Sequence, residues 1–247
     1  TLFGTLILSA WNFVVGQRHI KLQFHCAPKE VFPLVRIGLY QTGTSIVDYI
    51  CSKLDVLIIG KLFGMDALGV FNLCKELIFR FIWSVNTIVN KVMSPVFSKM
   101  QHEIDNLRNS YCVTLSKLTS LTFAALSIIA ALSVQIITVL YGDAYQEAGL
   151  LTSLLACVAM GTAVGNPVSS IIVASGRTDL TFKYVLIRLL YTAPCIYVFS
   201  HYSIYVLAIG LIFLMLVDYI FQTLIEVKPI LKISILDLSR TFYKQAL

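Results

Sequence analysis

Charge is what this sequence lacks. Asp, Glu, Lys and Arg make up 13% of its 247 residues, against roughly 25% in soluble domains. With 57% hydrophobic residues, there is too little charge to cover the apolar surface of a soluble globule, so the composition points to a polytopic membrane protein. Metal and redox signatures are missing too. The six cysteines include no pair at CxxC spacing. Most lie inside apolar runs, so the sequence predicts small free thiols and neither metal nor cofactor. His19, His25, His102 and His201 are scattered and form no ligand cluster. Gly60, Gly64 and Gly69 lack the Lys-Ser/Thr that follows a phosphate loop. No nucleophile stands beside a base, so no enzymatic activity is expected. A basic leader is absent as well: the chain opens at Thr1, already in an apolar run. The expectation is a fragment that begins partway through a span, not a signal peptide.

What is present is a series of long apolar runs. A helix crossing a bilayer core needs about 20 apolar residues. Seven runs approach that length: residues 1–16, 37–59, 68–97, 111–140, 148–174, 184–199 and 203–227. Each must be helical, because a spanning segment has to satisfy its own backbone hydrogen bonds. The predicted fold is therefore an all-α membrane helix bundle of about seven spans. Residues 17–36 read as a linker, residues 37–227 as six spans and residues 228–247 as a tail. Pro167 and Pro194 interrupt two of the runs and read either as hinges or as static bends.

The net charge is +6, yet the basic residues gather between spans, which speaks for membrane orientation and not for nucleic acid. Segments 17–36, 99–117, 175–188 and the tail are rich in Lys and Arg. They alternate with the poorer segments 60–69, 141–147 and 200–203. The positive-inside rule makes the basic set, including the C-terminus, cytoplasmic.

The chain's unusual feature is charge inside two adjacent spans. The second run carries the stripe Gln41, Thr44, Ser45, Asp48, Ser52 and Asp55, at spacings that keep one helical face. Lys53 lies off that stripe and is expected to snorkel outward. The third run carries Lys75 and the stripe Glu76, Arg80, Ser84, Thr87 and Lys91. An ionised group at mid-bilayer costs about 2.5–3.5 kcal/mol on insertion scales, so it normally faces a bundle interior or a wet cavity. Arg80 and Lys91 share a face and suit an anionic cargo. Depth counting predicts an Asp48–Arg80 cross-helix pair, with Asp55 and Lys75 at similar depth nearer the outside. Asp218 is expected to be paired or to face the cavity, and Glu226 to be interfacial. The alternative for each charge is an internal ion pair that only holds the bundle's register.

Several motifs carry a resemblance. Lys53-Leu54-Asp55-Val56-Leu57-Ile58-Ile59-Gly60-Lys61-Leu62-Phe63-Gly64 with Ala67-Leu68-Gly69 resembles the hairpin of Wzx-type polysaccharide flippases. Ser94-Pro95-Val96-Phe97-Ser98, Leu140-Tyr141-Gly142-Asp143-Ala144-Tyr145 and Gly176-Arg177-Thr178-Asp179 follow in the order expected of that family. The resemblance implies the second lobe of a two-lobe exporter, with residues 1–16 ending the first lobe. It implies alternating access in the bacterial cytoplasmic membrane. The cargo would be an undecaprenyl-pyrophosphate-linked oligosaccharide and the partners membrane lipid and a polysaccharide polymerase complex. From the stripes, and not from any family motif, Arg80 and Lys91 are candidates for the pyrophosphate. Asp48, Ser52 and Asp55 are candidates for sugar or coupling-ion contacts, and Lys75, Glu76 and Asp218 for further cavity roles. A lipid II flippase, a drug or cation antiporter with a net negative cavity, and a non-transporting scaffold remain the rival readings.

Overall fold

The computed structural model describes residues 28–100 and 103–231, together with Trp11. The chain divides into two units, residues 1–36 and residues 37–247, and the second contains the helix bundle and its cavity. Apart from Trp11, the expected span over residues 1–16 lies outside the described residues, as does the tail from residue 232.

Among the described residues all secondary structure is helical. Helix α1 is Pro28–Leu62, α2 is Gly64–Lys99, α3 is Ile104–Ala131 and α4 is Ser133–Tyr141. A short 3-10 turn, Asp143–Tyr145, leads to α5, Ala148–Ser175. Then come α6, Thr178–Ser200, and α7, Ile204–Gln222, which widens into a π-helical turn, Thr223–Val227, before α8, Lys228–Leu231. Helices α3, α5 and α6 and the stretch Ile204–Leu231 are each long and apolar enough to cross a membrane. At 35 and 36 residues, α1 and α2 are longer still. What sets them apart is the charge inside them, not their length.

Boundaries differ from the expected ones in instructive places. The loop predicted over residues 60–69 shrinks to a single non-helical residue, Phe63, because α1 continues through Gly60 to Leu62. The reversal is made at Gly64, whose φ of +86° suits a residue without a Cβ. Helix α1 starts at Pro28, so the segment read as a linker is partly helical. The run over residues 111–140 is split at Leu132 into α3 and α4, although neither Gly nor Pro marks the break. Pro167 and Pro194 both sit inside continuous helices, α5 and α6.

Helix α5 is the hub. It packs along α2, α3 and α7 and touches α4 and α6. Its buried face sets small side chains such as Ala156, Ala159 and Ala163 among larger ones such as Leu151, Leu155 and Ile171, and small residues let membrane helices approach closely. At the start of α5 the close approach is to backbone. A Cβ on Gly149 would lie 2.8 Å from the Cα of Val134 in α4, against backbone that has no rotamer to yield. Two apolar clusters flank the hub. One gathers Ile59, Phe71, Ile78, Leu126, Leu155 and Leu207, and the other Phe97, Leu107, Tyr111, Ile171 and Leu231.

Helices α1 and α2 are tied across their tight turn by an ion pair between Asp55 and Lys75. The Asp55 side chain is only 6% exposed and that of Lys75 26%. Removing one partner of a buried pair strands the other charge. We therefore expect Asp55→Ala to cost about 2–4 kcal/mol, a little below the fully buried range because Lys75 keeps some solvent. Glu76→Ala, which breaks an exposed i,i+4 pair with Arg80, should cost about 0.5 kcal/mol or less. Thermal denaturation of the full protein in detergent checks this, and equal melting shifts for the two variants would contradict it. The same assay tests the glycines. Gly149→Val should destabilise by about 1–3 kcal/mol through overpacking. Gly69→Ala, inside α2 with nothing within 4 Å of the new Cβ, should be neutral or stabilising by up to about 1 kcal/mol.

Candidate functional site

The site begins with the spacing of polar residues on α6. Thr181, Tyr184, Arg188 and Tyr191 recur at intervals of three and four and so share one helical face. Arg188 stands near the middle of that apolar helix, where a guanidinium needs partners. It finds them on two other helices. Its Nη1 donates to Asp48 Oδ1 of α1 at 3.2 Å. Its Nε lies 3.3 Å from Asp218 Oδ2 of α7 as an ion pair, though the N–H is not aimed well enough to count as a hydrogen bond. Asp218 is held further by the hydroxyls of Tyr184, at 3.1 Å, and Tyr191, both donating to Oδ1. Tyr191 in turn stacks on Phe221 with ring centroids 5.4 Å apart. One α6 face thus delivers two hydroxyl donors and a guanidinium charge to one carboxylate of α7, while its arginine also takes a carboxylate from α1.

Asp48, Thr181, Tyr184, Arg188 and Asp218 line a cavity of about 580 Å³ walled by α1, α2, α5, α6 and α7. That volume falls within the usual range for small-molecule sites, about 300–1,000 Å³. The ionic cluster is contributed by α1, α6 and α7, and α5 supplies small residues, Gly161, Thr162 and Gly165. The α2 side carries Lys75, Glu76, Trp83 and two asparagines. Lys75 pairs with Asp55, reaches the Ser52 carbonyl at 3.5 Å and sits 5.8 Å from the centroid of the Phe71 ring. Four buried side-chain polar atoms among the described residues lack a hydrogen-bond partner of good geometry. Three of them, Thr181 Oγ1, Arg188 Nε and Tyr219 Oη, belong to wall residues. Of these, Arg188 Nε still has the Asp218 carboxylate at ion-pair distance.

Of the residues predicted from sequence, Asp48, Ser52, Asp55, Lys75, Glu76 and Asp218 are all on the wall. Arg80 and Lys91 are not among the lining residues. Arg80 turns to Glu76 at 2.7 Å with its side chain 74% exposed, and Lys91 is exposed on α2. The expected Asp48–Arg80 pair is replaced by Asp48–Arg188, while Asp55 takes Lys75. Lys53 lies on the wall, its Nζ 5.9 Å from the Tyr49 ring centroid. Glu226, read as interfacial, is buried on the wall at 2% exposure. Arg188 is the residue that sequence reasoning missed, because the positive-inside pattern assigned it to a cytoplasmic loop. The polar spacing of Thr181, Tyr184, Arg188 and Tyr191 was the available signal.

The wall's carboxylates are Asp48, Asp55, Glu76, Asp218 and Glu226, and its cations Lys53, Lys75 and Arg188. Acids therefore outnumber bases, opposite to the balance that the α2 stripe alone implies. Ion pairing offsets most of this: Asp55 has Lys75, Glu76 has Arg80, and Asp48 and Asp218 share Arg188. Among the described residues no group of His, Cys, Asp and Glu is placed to hold a metal ion, and no disulfide is formed.

Comparison with known proteins places this cavity in context. The chain is similar to the lipopolysaccharide biosynthesis protein WzxC of Escherichia coli, at 25% identity over 98% of this chain and 51% of that protein. It is also similar to the teichuronic acid biosynthesis protein TuaB of Bacillus subtilis, at 28% identity over 60% of this chain and 30% of that one. The amylovoran biosynthesis protein AmsL of Erwinia amylovora matches at 32% identity over 61% of this chain and 39% of its own length. The chain thus spans about half the length of the first of these relatives and less of the others. No solved structure matches it. The profile of a family described as "Polysaccharide biosynthesis protein" matches residues 1–150. That is more than half of the chain, and with its apolar spans and its relatives it makes this a membrane protein that belongs to the polysaccharide biosynthesis protein family.

Proposed function

We propose that this chain forms one lobe of a transporter that moves an undecaprenyl-pyrophosphate-linked oligosaccharide across the bacterial cytoplasmic membrane for surface polysaccharide synthesis. The observation that carries the reading is the cavity among membrane-crossing helices whose wall holds Arg188 between two carboxylates. A guanidinium has five N–H donors, and at most two are engaged by Asp48 and Asp218. The remaining donors suit a diphosphate, which prefers the planar fork of an arginine. Lys75 adds a point charge on the opposite wall.

Asp48 and Asp218 hold the guanidinium in place before the cargo arrives. When the diphosphate competes for Arg188, the tie between α1, α6 and α7 loosens. Loading is thereby linked to helix movement, which is what alternating access requires. In this reading the basic segments and the C-terminus are cytoplasmic, and a polysaccharide polymerase is the downstream partner. The anion role expected of Arg80 and Lys91 passes to Arg188 and Lys75.

The excess of wall carboxylates favours one second reading, an antiporter for a cationic solute. Pairing leaves few of those carboxylates uncompensated, and the three relatives are described by lipopolysaccharide, teichuronic acid and amylovoran biosynthesis. Both points support a glycan cargo.

In cells that depend on the full-length protein, Arg188→Gln should abolish surface polysaccharide while the protein remains in the membrane. Lys91→Ala, off the cavity wall, should leave export intact. The check is surface polysaccharide measured beside immunoblotted membranes. Normal polymer in Arg188→Gln, with protein at wild-type level, would overturn the reading.

A further inference from the structure

The wall opposite the ionic cluster has a different chemistry. Asn72, Glu76, Phe79, Trp83 and Asn86 follow one another along α2 at intervals of four, three, four and three, and all five line the cavity. They form a ladder of one helical face, about 21 Å long at 1.5 Å per residue. Its polar members are two amides and a carboxylate, and its middle is aromatic. Trp83 is 60% exposed. An exposed tryptophan in a membrane protein usually belongs to the interfacial belt. Trp83 does not fit that pattern: it is the twentieth residue of the 36-residue α2, far from both ends, and three of its four face-mates are polar.

An indole with an open face, bracketed by groups that both donate and accept hydrogen bonds, matches a sugar ring. The C–H face of a pyranose is weakly positive and lies against the negative face of an aromatic ring. The hydroxyls at its rim alternate donor and acceptor roles, which side-chain amides and a carboxylate can meet. Glu76 suits this task in particular. Its pairing with Arg80 at 2.7 Å engages one oxygen and leaves the second to accept.

We propose that Trp83, with Asn72, Glu76 and Asn86 on the same face of α2, is the stacking platform of a saccharide subsite. It holds the sugar end of the cargo while Arg188 across the cavity holds the diphosphate. The inference rests on the glycan-exporter reading above and adds to it: the cavity has two poles, and the α2 pole selects for sugar.

The test uses the purified full-length protein and two probes. One is the repeat-unit saccharide released from the host's own surface polysaccharide, free of lipid and phosphate. The other is undecaprenyl pyrophosphate without sugar. Trp83→Ala should weaken saccharide binding about tenfold, the scale of one lost stacking contact. It should leave undecaprenyl pyrophosphate binding within about twofold, and Trp83→Phe should recover most of the saccharide affinity. Unchanged saccharide binding in Trp83→Ala would overturn the subsite, as would equal loss for both probes. So would a wild-type protein that binds undecaprenyl pyrophosphate but no saccharide; these outcomes leave the exporter reading standing. A wild-type protein that binds neither probe removes both.

Discussion

An ionised side chain within a membrane must be paired, wet or both, and the arrangement of this protein follows from that rule. Charge is scarce in the chain, yet Asp48, Asp55, Lys75, Arg188 and Asp218 lie inside long helices, and each has a partner on another helix. The pairs are more than neutralisation. Asp55–Lys75 closes the hairpin of α1 and α2, and Arg188 joins α1, α6 and α7 at one point. Much of the surface of α1, including Leu39, Tyr49 and Leu57, is exposed, so these ion pairs supplement the apolar anchor at Ile59.

The packing elsewhere permits this. Helix α5 brings small residues to its neighbours, so the other helices approach it closely and leave the space between α1, α2, α6 and α7 open. The π-helical turn Thr223–Val227 belongs to the same economy of shape. It interrupts the regular ladder of α7 at Glu226, a buried wall residue, and such turns occur often at functional sites. A cavity with charge on one side and an amide and aromatic ladder on the other is therefore bounded by a stiff apolar hub and by helices joined through ions.

Much of this was legible in the sequence. Run lengths gave the spans, because only a helix can hide its backbone in lipid. The stripe Asp48, Ser52, Asp55 pointed to the cavity wall because it broke an apolar run with helical periodicity. Partner choice was not legible. Depth counting across a hairpin assumes that neighbours in sequence are the neighbours in space, and so it joined Asp48 to Arg80. The true partner, Arg188, lies 140 residues on. The charge rule misplaced it by treating a basic residue near a span's edge as loop. The compact turn at Phe63 was also hidden, because Gly60 and Gly69 read as loop residues while both stand within helices. The break at Leu132 has no local marker in the sequence.

Transport through this cavity requires it to be open to water while the outer faces of the same helices are not. Thiol accessibility measures this directly in the full-length protein, freed of its native cysteines and carrying one new cysteine at a time. A charged, membrane-impermeant thiol reagent should modify Ser52→Cys and Asn86→Cys, both on the wall, in intact cells or in inverted vesicles. It should spare Leu57→Cys and Leu190→Cys, exposed apolar positions off the wall. Wall positions as unreactive from both sides as Leu57 and Leu190 would show that the space is closed to water, and the transport reading would lose its physical basis.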